Sequence, residues 1–286
     1  MNKTSFFPLG AILAATILAG GCSHKSDKDA ASAASEISEL SVSEVFKKAD
    51  RSYMVVYDGD TAWLDQSTTL QWPLTIGDAD LTPLQDTILR YAYAGGAVPG
   101  DPDKSILAYL ANTQIDDSLA TVTRVDSIPG GKDELRSWFN NVSASVMELD
   151  GSIITYQVST SSYMGGAHPN SYSVPFTYDL RSGKVLTMDN MFRPATGDSI
   201  MAVIATALAR QYEVSPANLS RAGIFVSQLT FPGSPYLTSD AVVFHYNPYD
   251  IAPYSMGPID VTVYPYELRR FMTPEFSALF DSWDGM

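Results

Sequence analysis

Three histidines, one cysteine and 32 carboxylates bound the chemistry that this chain of 286 residues could perform. His168 stands in Gly-Gly-Ala-His-Pro-Asn (165–170), His245 in Val-Val-Phe-His-Tyr-Asn (242–247), and His24 just behind Cys22. A metal hydrolase needs several such side chains converging on one ion. His168 and His245, with Asp240 or Asp250 near, could meet across a sheet, but no His-Glu-x-x-His or other pair at ligand spacing occurs. A serine triad finds no Gly-x-Ser-x-Gly elbow to hold its nucleophile, and Phe-Pro-Gly-Ser-Pro-Tyr (231–236) reads as a turn before a strand. Glycoside hydrolysis needs two paired carboxylates, and no motif nominates a pair. The expectation is therefore a non-catalytic chain with no metal and no cofactor.

Two loops carry the stronger signal. In the first, the glycines permit backbone angles that other residues resist, so His168 anchors or decorates a turn. Its imidazole either bonds the adjacent backbone or faces a ligand. The second loop, Asn-Pro-Tyr-Asp-Ile-Ala-Pro-Tyr-Ser-Met-Gly-Pro (247–258), packs three prolines and two tyrosines into twelve residues. Prolines reduce the freedom lost on docking, and tyrosine offers broad amphipathic contact area. Gly165, Gly166, His168, Asn170, Asn247, Tyr249 and Tyr254 are thus the candidate partner-binding residues. In the alternative, both tyrosines tuck under the loop and cover the end of a sheet. His245, out of phase with Phe244 and Tyr246, reads as a packing or hydrogen-bonding residue.

The elements that must position these loops are mixed. Residues 52–58 and 67–76 read as strands, and 78–94 as a helix with Thr82 as its N-cap and Pro83 in the first turn. Residues 103–112 and 131–142 read as short helices. A hairpin is expected around Asp150-Gly151, with Ile154, Tyr156 and Val158 on one face of its second strand. Strict alternation over 172–180 marks a half-buried strand, and Pro175 places it at an edge or a bulge. Residues 198–212 form the clearest helix, with Met201, Ile204, Leu208 and Tyr212 on one stripe. Strands at 241–247 and 259–268 follow. The sum is an α+β fold of mainly antiparallel sheets, helices packed on one face, in two coupled halves.

The front of the chain sets its expected address. Residues 1–21 carry Lys3, an apolar run and then small residues, the layout of a secretory signal peptide. Leu-Ala-Gly-Gly-Cys resembles a bacterial lipobox, so Cys22 is the expected lipidation site. Several acyl chains there would anchor the protein outside the cytoplasm, on a bacterial membrane, by lipid alone. An acylated Cys22 leaves no thiol for disulfides or catalysis. Residues 22–45, rich in Ser, Ala and charge, read as a tether. The rest divides into an N-terminal half, 46–150, and a C-terminal half, 151–286. With Lys3 removed, 17 basic and 32 acidic side chains remain, a formal −15. Such a surface repels nucleic acid and attracts cationic partners.

Tyr-Met-Gly-Gly-Ala-His-Pro-Asn, the Tyr-Asp-Leu-Arg-Ser-Gly-Lys hairpin and Asn-Pro-Tyr-Asp-Ile-Ala-Pro-Tyr together resemble the extracytoplasmic domain of the RsiV family. The resemblance runs over about 150–272, and residues 46–150 resemble the segment that precedes this domain next to some polysaccharide deacetylases. It implies a stand-alone lipoprotein whose outer face binds a partner, lysozyme being the precedent of the founding anti-sigma factor. The sigma-binding segment and transmembrane helix of that protein have no counterpart here. Two other classes stay open: a cell-wall glycan-binding module, with Trp63, Trp72 and Trp138 stacking on sugar rings, and an envelope hydrolase.

Overall fold

The computed structural model of the chain describes residues 42–116, 118–126 and 136–280. Cys22, the signal peptide, the tether up to residue 41 and residues 131–135 lie outside the described residues.

A long hairpin opens the fold. Strands β1 (Val42–Tyr57) and β2 (Asp60–Ile76) pair antiparallel around the two-residue turn Asp58-Gly59. β1 thus begins four residues inside the expected tether. Strand β3 (Ala120–Val125) lies on the outer side of β1, and β2 pairs in parallel with β4 (Arg136–Asp150). The chain then meanders through β5 (Ile153–Tyr163), β6 (Asn170–Asp179) and the short β7 (Lys184–Val185). The result is a seven-stranded sheet in the order β3-β1-β2-β4-β5-β6-β7, antiparallel except for one pair. The expected boundary at 150/151 falls on the β4–β5 turn, between two hydrogen-bonded neighbours of this sheet.

Where the observed elements differ from the expected ones, packing is the reason. Residues 136–142, expected to be helical, are the first half of β4. Trp138, Asn140, Val142 and Ala144 are buried in alternation there, and pairing with β2 outweighs the local helix formers. Helix α1 (Thr82–Tyr93) starts one residue earlier than a Thr82 cap would allow: Leu81 takes the cap position, and the Asp80 carboxylate accepts the Thr82 N–H at 2.9 Å. That bond, with a second from the Thr82 side chain, holds the Asp80 carboxyl below its usual range. α1 and α2 (Pro102–Ala111) cover one face of the large sheet. Leu84, Ile88 and Leu89 are wholly buried against Leu70, Tyr156 and Tyr178. Each such side chain contributes roughly 2 kcal/mol by leaving water. Trp63, Trp72 and Trp138 are all buried in the large sheet, so none of the three is available to stack on a sugar.

Because side chains alternate across a strand, the opposite face of β5 and β6 presents Thr155, Ser173 and Thr177. A small sheet leans on it: β8 (Tyr236–Leu237), β9 (Val242–Tyr246) and β10 (Ile259–Val263), in the order β10-β9-β8. Two buried bonds lock the two sheets, and a third joins the threonines that make them. The Thr155 hydroxyl donates to the Leu237 carbonyl (2.8 Å), the Leu237 N–H donates to Thr177 Oγ1 (2.8 Å), and the two threonine oxygens lie 2.7 Å apart. Two one-turn helices, α3 (Met188–Met191) and, further on, α5 (Pro265–Leu268), flank the longer α4 (Gly197–Gln211). α4 seals the outer face of the small sheet, burying Ile200, Ile204 and Leu208 against Val242, Phe244 and Val261. Met201 and Tyr212, expected on that stripe, flank it half-buried. No helix among the described residues is long and apolar enough to cross a membrane.

Candidate functional site

β6 is an edge strand over most of its length, because β7 pairs with it only at Tyr178 and Asp179. Pro175 occupies this free edge, as its missing N–H requires. At Ser173 the edge is closed by a side chain in place of a strand. The Ser173 N–H donates to Asn247 Oδ1 at 2.7 Å, and Asn247 Nδ2 donates to the Ser173 carbonyl at 3.0 Å. Asn247 is itself buried, and its own N–H donates to Asp250 Oδ2 at 2.7 Å. The loop 247–258 is therefore bolted to β6 at its first residue, while Ile251 and Ala252 sink into the core.

The second bolt joins the two loops. The His168 ring stacks on Tyr254 with centroids 3.8 Å apart and planes 15° from parallel. Its Nε2 meets the Tyr249 hydroxyl at 3.1 Å, and its Nδ1 meets the Pro169 carbonyl at 2.8 Å. A proton on Nδ1 satisfies the whole set: Nδ1–H donates to Pro169, and Nε2 accepts from Tyr249. The Tyr254 hydroxyl donates to the same Pro169 carbonyl at 2.7 Å. Gly165 and Gly166, at φ 90° and 106°, turn the chain as a side-chain-bearing residue would resist, and Tyr163 donates to the Gly166 carbonyl at 3.0 Å. Tyr249 sits at φ 73°, a strained angle for a bulky residue, and is 55% exposed. Of the seven candidate binding residues, His168, Tyr249 and Tyr254 form one rim, Tyr249 exposed and the other two half-buried, and Asn247 anchors it. Gly165 and Gly166 shape the approach, and Asn170 starts β6, exposed. Tyr249 does not tuck under the loop, whereas Tyr254 is half-buried against the His168 ring.

His245 lies behind this rim. It points from β9 toward the large sheet, opposite in phase to the wholly buried Phe244. Its Nδ1 is 2.7 Å from Asp260 Oδ1 on β10, its cross-strand partner, and its Nε2 is 2.9 Å from Ser173 Oγ on β6. Asp260 also bonds the Tyr236 hydroxyl, whose pKa is pushed up by burial and by that carboxylate. The two histidines do not meet: His245 takes Asp260, not Asp240 or Asp250, which bond Thr238 and Asn247 instead. Among the described residues no group of three or more His, Cys, Asp or Glu could hold a metal ion. Ser173, His245 and Asn247 border a cavity of about 370 Å³ that wraps the free edge of β6. Arg90 and Tyr91 of α1 and the Pro232–Ser234 turn close its other side.

Residues 189–267 match the family described as "Protein of unknown function (DUF3298)". His245, Tyr249, Tyr254 and Asp260 fall inside that DUF3298 match, whereas His168 and Ser173 precede it. Two solved DUF3298 structures share the fold. One, from Bacteroides fragilis, superposes with a TM-score of 0.63 at 18% identity, covering 82% of this chain and 95% of that one. The other, from Pseudomonas aeruginosa, gives 0.54 at 18% identity, covering 84% and 97%. A Mycobacterium tuberculosis protein named Esterase Rv3036c is 29% identical over 96 residues. That stretch is 33% of this chain and 41% of the esterase, so this chain spans less than half of that relative.

Proposed function

We propose that the chain is an RsiV-type docking protein of the bacterial cell envelope, held by lipid at Cys22. It recognises a cationic extracellular protein through the His168–Tyr249–Tyr254 rim. The exposed Tyr249 beside the half-buried His168–Tyr254 stack carries this reading, because the geometry of the three rings is fixed before any partner arrives. Prolines and the Pro169 bonds have already removed the freedom that docking would otherwise cost. Aromatic anchors of this kind dominate interface energetics. The formal charge of −15 left by 17 basic and 32 acidic side chains after residues 1–21 are removed would steer a basic partner to the surface, raising the association rate more than the final affinity. Lysozyme, the partner implied by the RsiV resemblance, has that character.

Binding of a c-type lysozyme, followed by surface plasmon resonance at low and moderate salt, tests it. The expected result is an association rate that falls with salt. The pair Tyr249→Ala and Tyr254→Ala weakens binding at least about tenfold, the size expected for central aromatic anchors. An affinity untouched by the double change would refute the rim assignment.

A second, hydrolytic reading has its own support: the likeness to a protein named as an esterase, and a histidine hydrogen-bonded to both a serine and a carboxylate beside a cavity. It is compatible with docking at the neighbouring rim.

A further inference from the structure

We infer that Ser173 is the nucleophile, His245 the general base and Asp260 the positioning residue of an esterase centre on the free edge of β6. This inference rests on the hydrolytic reading and assigns its residues. The distances are those of a proton relay: 2.9 Å from Ser173 Oγ to His245 Nε2, and 2.7 Å from His245 Nδ1 to Asp260 Oδ1. Asp260 accepts the Nδ1 proton and so leaves the Nε2 lone pair facing the serine hydroxyl, the tautomer that a base requires. Tyr236 and the β9–β10 pairing hold Asp260 in place. The Asn247 amide fixes the Ser173 backbone on both sides, so the nucleophile cannot drift along the edge. No nucleophile elbow is needed, because the half-buried Ser173 already lines the cavity together with His245.

The cavity names the substrate class. Its aromatic wall includes Tyr91, which packs on Phe176 at 5.3 Å between ring centroids, and the exposed Tyr172. About 370 Å³ suits a small carboxylic ester with an apolar acyl group. In the first step a bond forms between Ser173 Oγ and the carbonyl carbon while the hydroxyl proton passes to His245 Nε2. The bond from carbon to the alcohol oxygen then breaks, and the alcohol leaves with that proton. Water attacks the acyl carbon, one of its protons going to His245. The bond to Ser173 breaks, the serine takes that proton, and the carboxylic acid departs. Water is the only co-reactant, and nothing is oxidised or reduced.

The test uses the full chain with para-nitrophenyl acetate and butyrate, and a fluorophosphonate probe mapped by peptide mass spectrometry. The expected result is turnover above buffer, one fluorophosphonate adduct on Ser173, and a loss of at least about a hundredfold in kcat/KM for Ser173→Ala with its thermal melting unchanged. The adduct map on the unmodified chain decides the matter even where the variant fails to fold. Turnover with the adduct on another residue would overturn the Ser173 assignment and leave the hydrolytic reading standing. No turnover and no adduct would remove both.

Discussion

Thr177→Val lowers the stability of the fold by about 2–4 kcal/mol in urea unfolding, although it changes neither the shape nor the volume of the side chain much. The reason lies in the closed set of bonds between the sheets. Thr177 accepts the Leu237 N–H at 2.8 Å and shares a proton with Thr155 at 2.7 Å, and all three residues are buried. Valine fills the same space but leaves the Leu237 N–H without an acceptor in a site that water does not reach. A buried donor stripped of its partner costs about 1–3 kcal/mol, and the broken threonine pair adds to it. Changing Thr155 to Val as well costs less than the sum of the two single changes, since both act on one network. The loss is not confined to stability. Leu237 belongs to β8, which pairs with β9, so the same bonds set how closely His245 approaches Ser173.

Phe244→Ala has a larger effect, about 3–5 kcal/mol, because a wholly buried ring is deleted and the surrounding helix and strands can only partly close the gap. Phe244 and His245 are neighbours on β9 with opposite duties. The ring grips α4 and its partners Ile204 and Val261, while the imidazole reaches across to β6. Emptying the first position frees the strand that holds the second. Chemical denaturation with an unchanged m-value would show a loss of packing rather than a change in the unfolded chain. A cost under about 1 kcal/mol would mean that the core between α4 and the small sheet is not packed as described.

The elements around the site were legible where one periodicity dominates. β6 and β10 alternate apolar and polar residues with almost no exception, and α4 shows one apolar stripe. The free edge at Pro175 followed from the chemistry of proline. β4 was not legible at its start, because Lys-Asp-Glu-Leu-Arg-Ser-Trp-Phe contains good helix formers and only the distant β2 makes half of it a strand. The rim was legible because its glycines, prolines and tyrosines cluster within two short loops. The contact between those loops was not, since His168 and Tyr249 are 81 residues apart. The Ser173–His245–Asp260 relay was the hardest to see. Its members sit on three strands, 72 and 15 residues apart, and no local motif marks any of them. The one trace in the sequence was phase: each is a polar residue opposite the apolar face of its strand. Two sheets had to stack before that phase became an address.

Hydrogen–deuterium exchange of the chain with and without saturating lysozyme tests the docking end most directly. Slowed exchange concentrated in residues 165–173 and 247–258, with the rest of the sheet unchanged, is the result this account predicts. Protection centred instead on β3 or on α4, or none at saturation, would contradict it.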